Sequence, residues 1–146
     1  MASQTTILIA EDDENDVFIL RRAFQKAGLP CNLPHVADGE AAIAYLKGHA
    51  PYTDRAQYPF PSLMLLDLKM PKVNGFDVLA WLQTQPELHR LPVVVLSASE
   101  LEADKLQVRQ LGGQDYRTKP YEFDALVELV RELGARWLNR TPQAVA

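Results

Sequence analysis

The chain has 146 residues, a formal net charge of −4, a pI near 5.3 and 47 % hydrophobic residues. That is enough apolar material for one domain with a real core, and the acidic balance leaves no electrostatic footprint for nucleic acid. One cysteine, Cys31, rules out an internal disulfide or a cysteine cluster for zinc, no segment approaches the roughly 20 apolar residues of a membrane span, and a reducing cytoplasm is the expected compartment.

Thr5–Ala10 (TTILIA) is a short run rich in β-branched residues and reads as a buried strand. It ends in three acids, Glu11, Asp12 and Asp13. A helical pattern follows, with Val17, Leu20, Phe24 and Ala27 on one face, closed by Gly28 and stopped by Pro30. A weak strand is expected at 33–36, then a helix from Gly39 carrying Ala42, Ile43 and Leu46. Over 48–61 the pattern fails. Pro51, Pro59 and Pro61 stand among Tyr52, Tyr58 and Phe60, which reads either as a binding surface or as an insertion whose rings pack down.

Leu63–Leu66 is unbroken apolar sequence leading into Asp67, the pattern of a strand buried on both faces. Pro71 and Asn74-Gly75 turn the chain before a helix that starts at Phe76 and ends before Pro86. Val93, Val94, Val95 and Leu96 form a second fully apolar strand, ending in Ser97. A helix with only a partial apolar stripe is expected at 101–111, then a short strand at 114–118 that runs into Lys119-Pro120. The last helix, with Phe123, Leu126, Val127, Val130, Leu133 and Trp137, has the clearest amphipathic spacing.

Strand and helix thus alternate five times. This predicts an α/β fold, a three-layer, doubly wound, five-stranded parallel sheet with right-handed crossovers. One domain is expected over 1–146, with its core at about 5–138 and a loose tail at 141–146. In such a sheet the carboxyl ends of the strands share one edge, where ligands bind. Glu11, Asp12, Asp13, Asp67, Ser97 and Lys119 therefore converge.

Clustered carboxylates repel one another and call for a cation, and magnesium binds through a few carboxylates, waters and a substrate phosphate. Asp67 can act as a nucleophile toward a phosphoryl group, and a cation, an ammonium and a hydroxyl can stabilise the transferring oxygens. Each residue also has an ordinary reading: Asp67 as a strand end, Lys119 as a solvated cation, Ser97 as a helix cap. His35, His49 and His89 show no metal-ligand spacing, and neither a glycine-rich phosphate loop nor a G-x-S-x-G elbow is present.

The acidic EDD after the first strand, LLDLKMP around Asp67, Asn74-Gly75, Ser97-Ala98, and Tyr116 followed by Lys119-Pro120 resemble the receiver domain of two-component response regulators. The resemblance covers about residues 5–138 and implies the flavodoxin-like receiver fold with strand order 2-1-3-4-5. It implies that Asp67 accepts a phosphoryl group from a phosphohistidine of a sensor histidine kinase. It further implies a magnesium ion on Asp12, Asp67 and the backbone carbonyl of Lys69, with Glu11 acting largely through water. Lys119 would pair with the phosphoryl oxygens, Lys119-Pro120 would be a cis peptide, and Ser97 and Tyr116 would form the switch pair. Asp13 needs no catalytic role.

The loop at 48–61, the stretch LPVVVLSAS and the terminal ARWL are similar to single-domain regulators that partner bacterial phytochromes. The expected output is a protein contact, a phosphorelay step or a homodimer through the last helices and strand. That face carries Lys105, Arg109, Asp115, Arg117, Glu122, Asp124 and Glu128, a mixed-charge set suited to a symmetric contact. The alternative is an aspartate-nucleophile phosphohydrolase of the haloacid dehalogenase type. That group places a second acid two residues after its nucleophile, where this chain has Lys69. A flavin-binding module would need a phosphate loop where the three acids stand.

Overall fold

In the computed structural model, which describes residues 5–138, the chain runs β1 (Thr5–Ala10), α1 (Glu14–Lys26), β2 (Cys31–Asn32), β3 (His35–Val36), α2 (Gly39–Lys47), β4 (Leu63–Leu66), α3 (Gly75–Gln83), β5 (Val93–Ser97), α4 (Glu102–Gln110), β6 (Asp115–Thr118) and α5 (Phe123–Leu133). The tail expected at 141–146 lies outside the described residues. Every pairing is parallel, in the order β2-β1-β4-β5-β6, with β3 also on β1.

The edge strand departs from expectation. Instead of one strand at 33–36 there are two short pieces, paired to β1 at Thr5↔Cys31 and again at Ile9↔His35. Pro34, which has no N–H to donate, separates them, while its carbonyl still accepts from Ile9 N–H at 2.9 Å. Counted as one interrupted strand, the two pieces give the expected order 2-1-3-4-5.

Side-chain alternation divides the interior into two cores. Leu8, Ala10, Met64, Leu66, Val93 and Val95 pack with residues of α2, α3 and α4. Ile7, Ile9, Leu63, Leu65, Val94 and Leu96 pack with residues of α1 and α5. All four residues of β4 are 2 % exposed or less, and each such aliphatic side chain contributes about 1.5–3 kcal/mol by leaving water. Covering both faces leaves the strand ends for polar groups, and Glu11, Asp67 and Ser97 lie buried at the carboxyl end.

Helix boundaries follow local chemistry. Asp13 caps α1, its carboxylate accepting from the N–H groups of Asn15 and Asp16. Asn74 caps α3 by accepting from Asp77 N–H. Gly75 follows, where a Cβ would collide with the carbonyl oxygen of Asp67, so a glycine lets α3 start against the Asp67 loop. The final helix stops earlier than its apolar spacing suggests. A π-helical turn, Gly134–Leu138, takes over where Gly134 lies so close to Leu29 that a Cβ would sit 2.8 Å from Leu29 Cδ1. Trp137 remains buried.

In the 48–61 loop the rings of Tyr52 and Tyr58 pack on Tyr45 of α2, with centroids 5.1 and 6.0 Å from it. Arg55 donates to the carbonyls of Leu46 and Tyr58 at 3.0 and 3.1 Å. Of the two readings of this loop, the packed insertion holds for its tyrosines.

Candidate functional site

Asp67 follows β4 directly, its residue 7 % exposed, with Glu11 beside it at the end of β1. Single carboxylate oxygens of Glu11, Asp12 and Asp67 all lie within 4.8 Å of one another. Glu11 and Asp67 are buried and Asp12 is exposed. Hard oxygen donors so spaced, with one open toward solvent, fit a magnesium or manganese ion that keeps several waters. Lys69, two residues on, is exposed.

Lys119, just beyond β6, reaches into this group. Its Nζ lies 2.5 Å from Glu11 Oε1, 2.9 Å from Asp16 Oδ2 and 3.6 Å from Asp67 Oδ2. The Lys119–Pro120 bond is trans, not cis as the resemblance implied; among the described residues the one cis bond is Ala50–Pro51. Trans is the ordinary preference of an X–Pro bond, and the lysine meets the carboxylates from it.

Electrostatics record the crowding. Burial pushes the Glu11 carboxyl up to about 7, with the Asp67 charge adding and the Lys119 hydrogen bond opposing. Burial raises Asp67 as well, partly offset by Lys119 and by the Leu68 N–H that donates to its Oδ1 at 2.9 Å. For Lys119 burial works downward, but hydrogen bonds to Glu11 and Asp16 and the Asp67 charge hold it above the ordinary lysine value. The acids carry surplus negative charge that one ammonium does not neutralise.

On the next strand, Ser97 is buried, and its Oγ accepts from Ser99 N–H at 3.1 Å. Tyr116 on β6 donates its hydroxyl to the Ser99 carbonyl at 2.7 Å. Ser97 and Tyr116 thus meet through one loop residue, Ser99, whose own hydroxyl donates to Asp104 of α4 at 2.6 Å.

Two contacts were missing from the sequence reading. His35 lies with Nε2 2.6 Å from the Glu11 carbonyl oxygen, a contact that requires Nε2–H as the donor. Asp16 holds Lys119. Its signal was available: residue 16 precedes Leu20 and Ala23 by helical steps, so a carboxylate opens a buried stripe.

Comparison with known proteins agrees with this geometry. Residues 7–131 match the family model for the response regulator receiver domain. The chain is 34 % identical to "Response regulator Rcp1" of Synechocystis sp., over 91 % of this chain and 88 % of that protein. The Mn(2+)-bound form of Rcp1 superposes with a TM-score of 0.81, at 33 % identity, covering 94 % and 96 % of the two chains. The phosphorylated cyanobacterial phytochrome response regulator RcpA gives a TM-score of 0.86 at 33 % identity, covering 95 % and 97 %. RPA3017, a response regulator in red light signaling of R. palustris, gives 0.89 at 34 % identity, covering 94 % and 96 %.

Proposed function

This chain belongs to the response regulator receiver family, and from that premise we propose that Asp67 is its phosphoacceptor. The observation that carries the proposal is a buried carboxylate at the end of the central strand, flanked by Glu11, Asp12 and Lys119. The haloacid dehalogenase alternative has no support: the family match and the structural relatives are receivers, and Lys69 stands at the second-acid position.

In the proposed reaction an Asp67 carboxylate oxygen attacks the phosphorus of a kinase phosphohistidine. The P–O bond forms as the P–N bond breaks, and the electron pair returns to the imidazole, which takes a proton from solvent. Glu11, Asp12, Asp67 and the Lys69 carbonyl would hold Mg²⁺, which supplies positive charge for the phosphoryl oxygens. Lys119 pairs with one of those oxygens and Ser97 donates to another. Movement of Ser97 would be passed through Ser99 to Tyr116 and α4. The chemistry is confined to its own Asp67, so the protein is a signalling switch and not an enzyme acting on a separate substrate.

The similarity to RcpA and RPA3017 supports a bacteriophytochrome-type sensor histidine kinase as partner, and the cytoplasm is the compartment we propose for that exchange. None of the described helices is long and apolar enough to cross a membrane. The match over 7–131 supports one receiver domain over the core. Incubation with acetyl phosphate and Mg²⁺, read by intact mass, tests the proposal. One added phosphoryl group in wild type and none in Asp67→Asn is the expected result, and equal labelling of both would refute it.

A further inference from the structure

We propose that Asp16 is a positioning residue that parks Lys119 away from the phosphoacceptor until a phosphoryl group arrives. The inference rests on Asp67 being the phosphoacceptor. It starts from the unequal distances at the Lys119 ammonium: 2.5 Å to Glu11 and 2.9 Å to Asp16, but 3.6 Å to Asp67. The first two are hydrogen bonds and the third is too long to be one.

Asp16 differs from the other acids in place. It sits in the first turn of α1, outside the group formed by Glu11, Asp12 and Asp67, and its side chain is 41 % exposed. A hydrogen bond to Asp16 therefore draws lysine charge out of the acidic group without adding a ligand to it. Two consequences follow, and they have opposite signs. With Asp16 present, Glu11 and Asp67 keep more of their negative charge for a cation. With Asp16 removed, the ammonium rests on Glu11 and Asp67 alone, where it competes with the cation but stands closer to incoming phosphoryl oxygens.

The pair is partly solvated, so its effect is modest. Asp16→Asn is expected to weaken Mg²⁺ affinity about two- to fivefold. At saturating Mg²⁺, the same variant should take a phosphoryl group from acetyl phosphate faster, by a similar factor. Asp16→Glu should restore wild-type behaviour in both measurements. General damage to the fold would lower affinity and rate together.

The deciding experiment is a double-mutant cycle on Mg²⁺ affinity, measured calorimetrically in wild type, Asp16→Asn, Lys119→Met and the double variant. Asp16 acts through Lys119 if its substitution changes affinity only when Lys119 is present. The same change in both backgrounds would mean a direct field effect of the Asp16 charge and would overturn the inference, as would slower phosphorylation of Asp16→Asn. A wild type that takes no phosphoryl group at Asp67 would refute the proposed function instead, while the metal cycle would still report on Asp16 separately.

Discussion

At the scale of single residues, the burial of Glu11 and Asp67 side by side is the dominant feature, and it fixes a pH dependence. The folded-state pKa of Glu11, about 7, lies above its ordinary 4.5, and Asp67 is raised too. Groups raised in this way bind protons more tightly when folded. They cost nothing below their unfolded pKa, and stability falls as pH rises through the folded pKa. Lys119, held above its ordinary value, keeps its contribution throughout this window. In chelator, the melting temperature is therefore expected to drop between pH 5 and pH 8. Mg²⁺ should restore more stability at pH 8 than at pH 5, and a hundredfold excess over Kd stabilises the folded state by about 2.7 kcal/mol. Asp67→Asn should raise the melting temperature at pH 8 without metal. Melts insensitive to both pH and Mg²⁺ would contradict this electrostatic picture. Most of these residues were legible because each follows a strand in sequence. Asp16 shows only its place in register with the buried stripe of α1, because a polar residue in a first helical turn usually complements the helix dipole and its reach to Lys119 is tertiary.

At the scale of elements, the strands buried on both faces were the most legible parts. Leu63–Leu66 and Val93–Leu96 have no alternation because helices cover both sides. The edge strand was less legible, since one of its faces needs little apolar sequence and Pro34 splits it. The trans Lys119–Pro120 bond was not legible either, as the resemblance implied the cis isomer and nothing in the stretch itself signals which isomer forms. Element coupling gives a further prediction. The Tyr116 hydroxyl ties β6 to the loop after β5 through the Ser99 carbonyl, a bond contributing about 0.5–1.5 kcal/mol. Tyr116→Phe should loosen that loop, and amide hydrogen exchange at 98–102 should quicken while the exchange of β4 stays unchanged. Unchanged exchange in the loop would show that the hydroxyl does not restrain it.

For the whole molecule, the question is whether a phosphoryl group on Asp67 changes association. The face formed by α4, β6 and α5 exposes Leu101 and Leu106 among charges, several already paired within the chain: Lys105 with Glu102, Arg117 with Glu132 and Glu128 with Arg131. Our reading is that phosphorylation, passed through Ser97 and Tyr116, reorients this face toward a homodimer. Sedimentation of the phosphorylated and unphosphorylated protein should then differ, and Ser97→Ala should blunt the difference without preventing phosphorylation. Identical sedimentation in the two states would point to a different partner. All of this depends on which carboxylate takes the phosphoryl group. The most direct test is to reduce the phosphorylated protein with borohydride, which converts an aspartyl phosphate into homoserine, and to map the product by peptide sequencing. Homoserine at position 67 and nowhere else is the predicted result. Homoserine at position 12 or 13, or none at all in a protein that has gained a phosphoryl group, would contradict it.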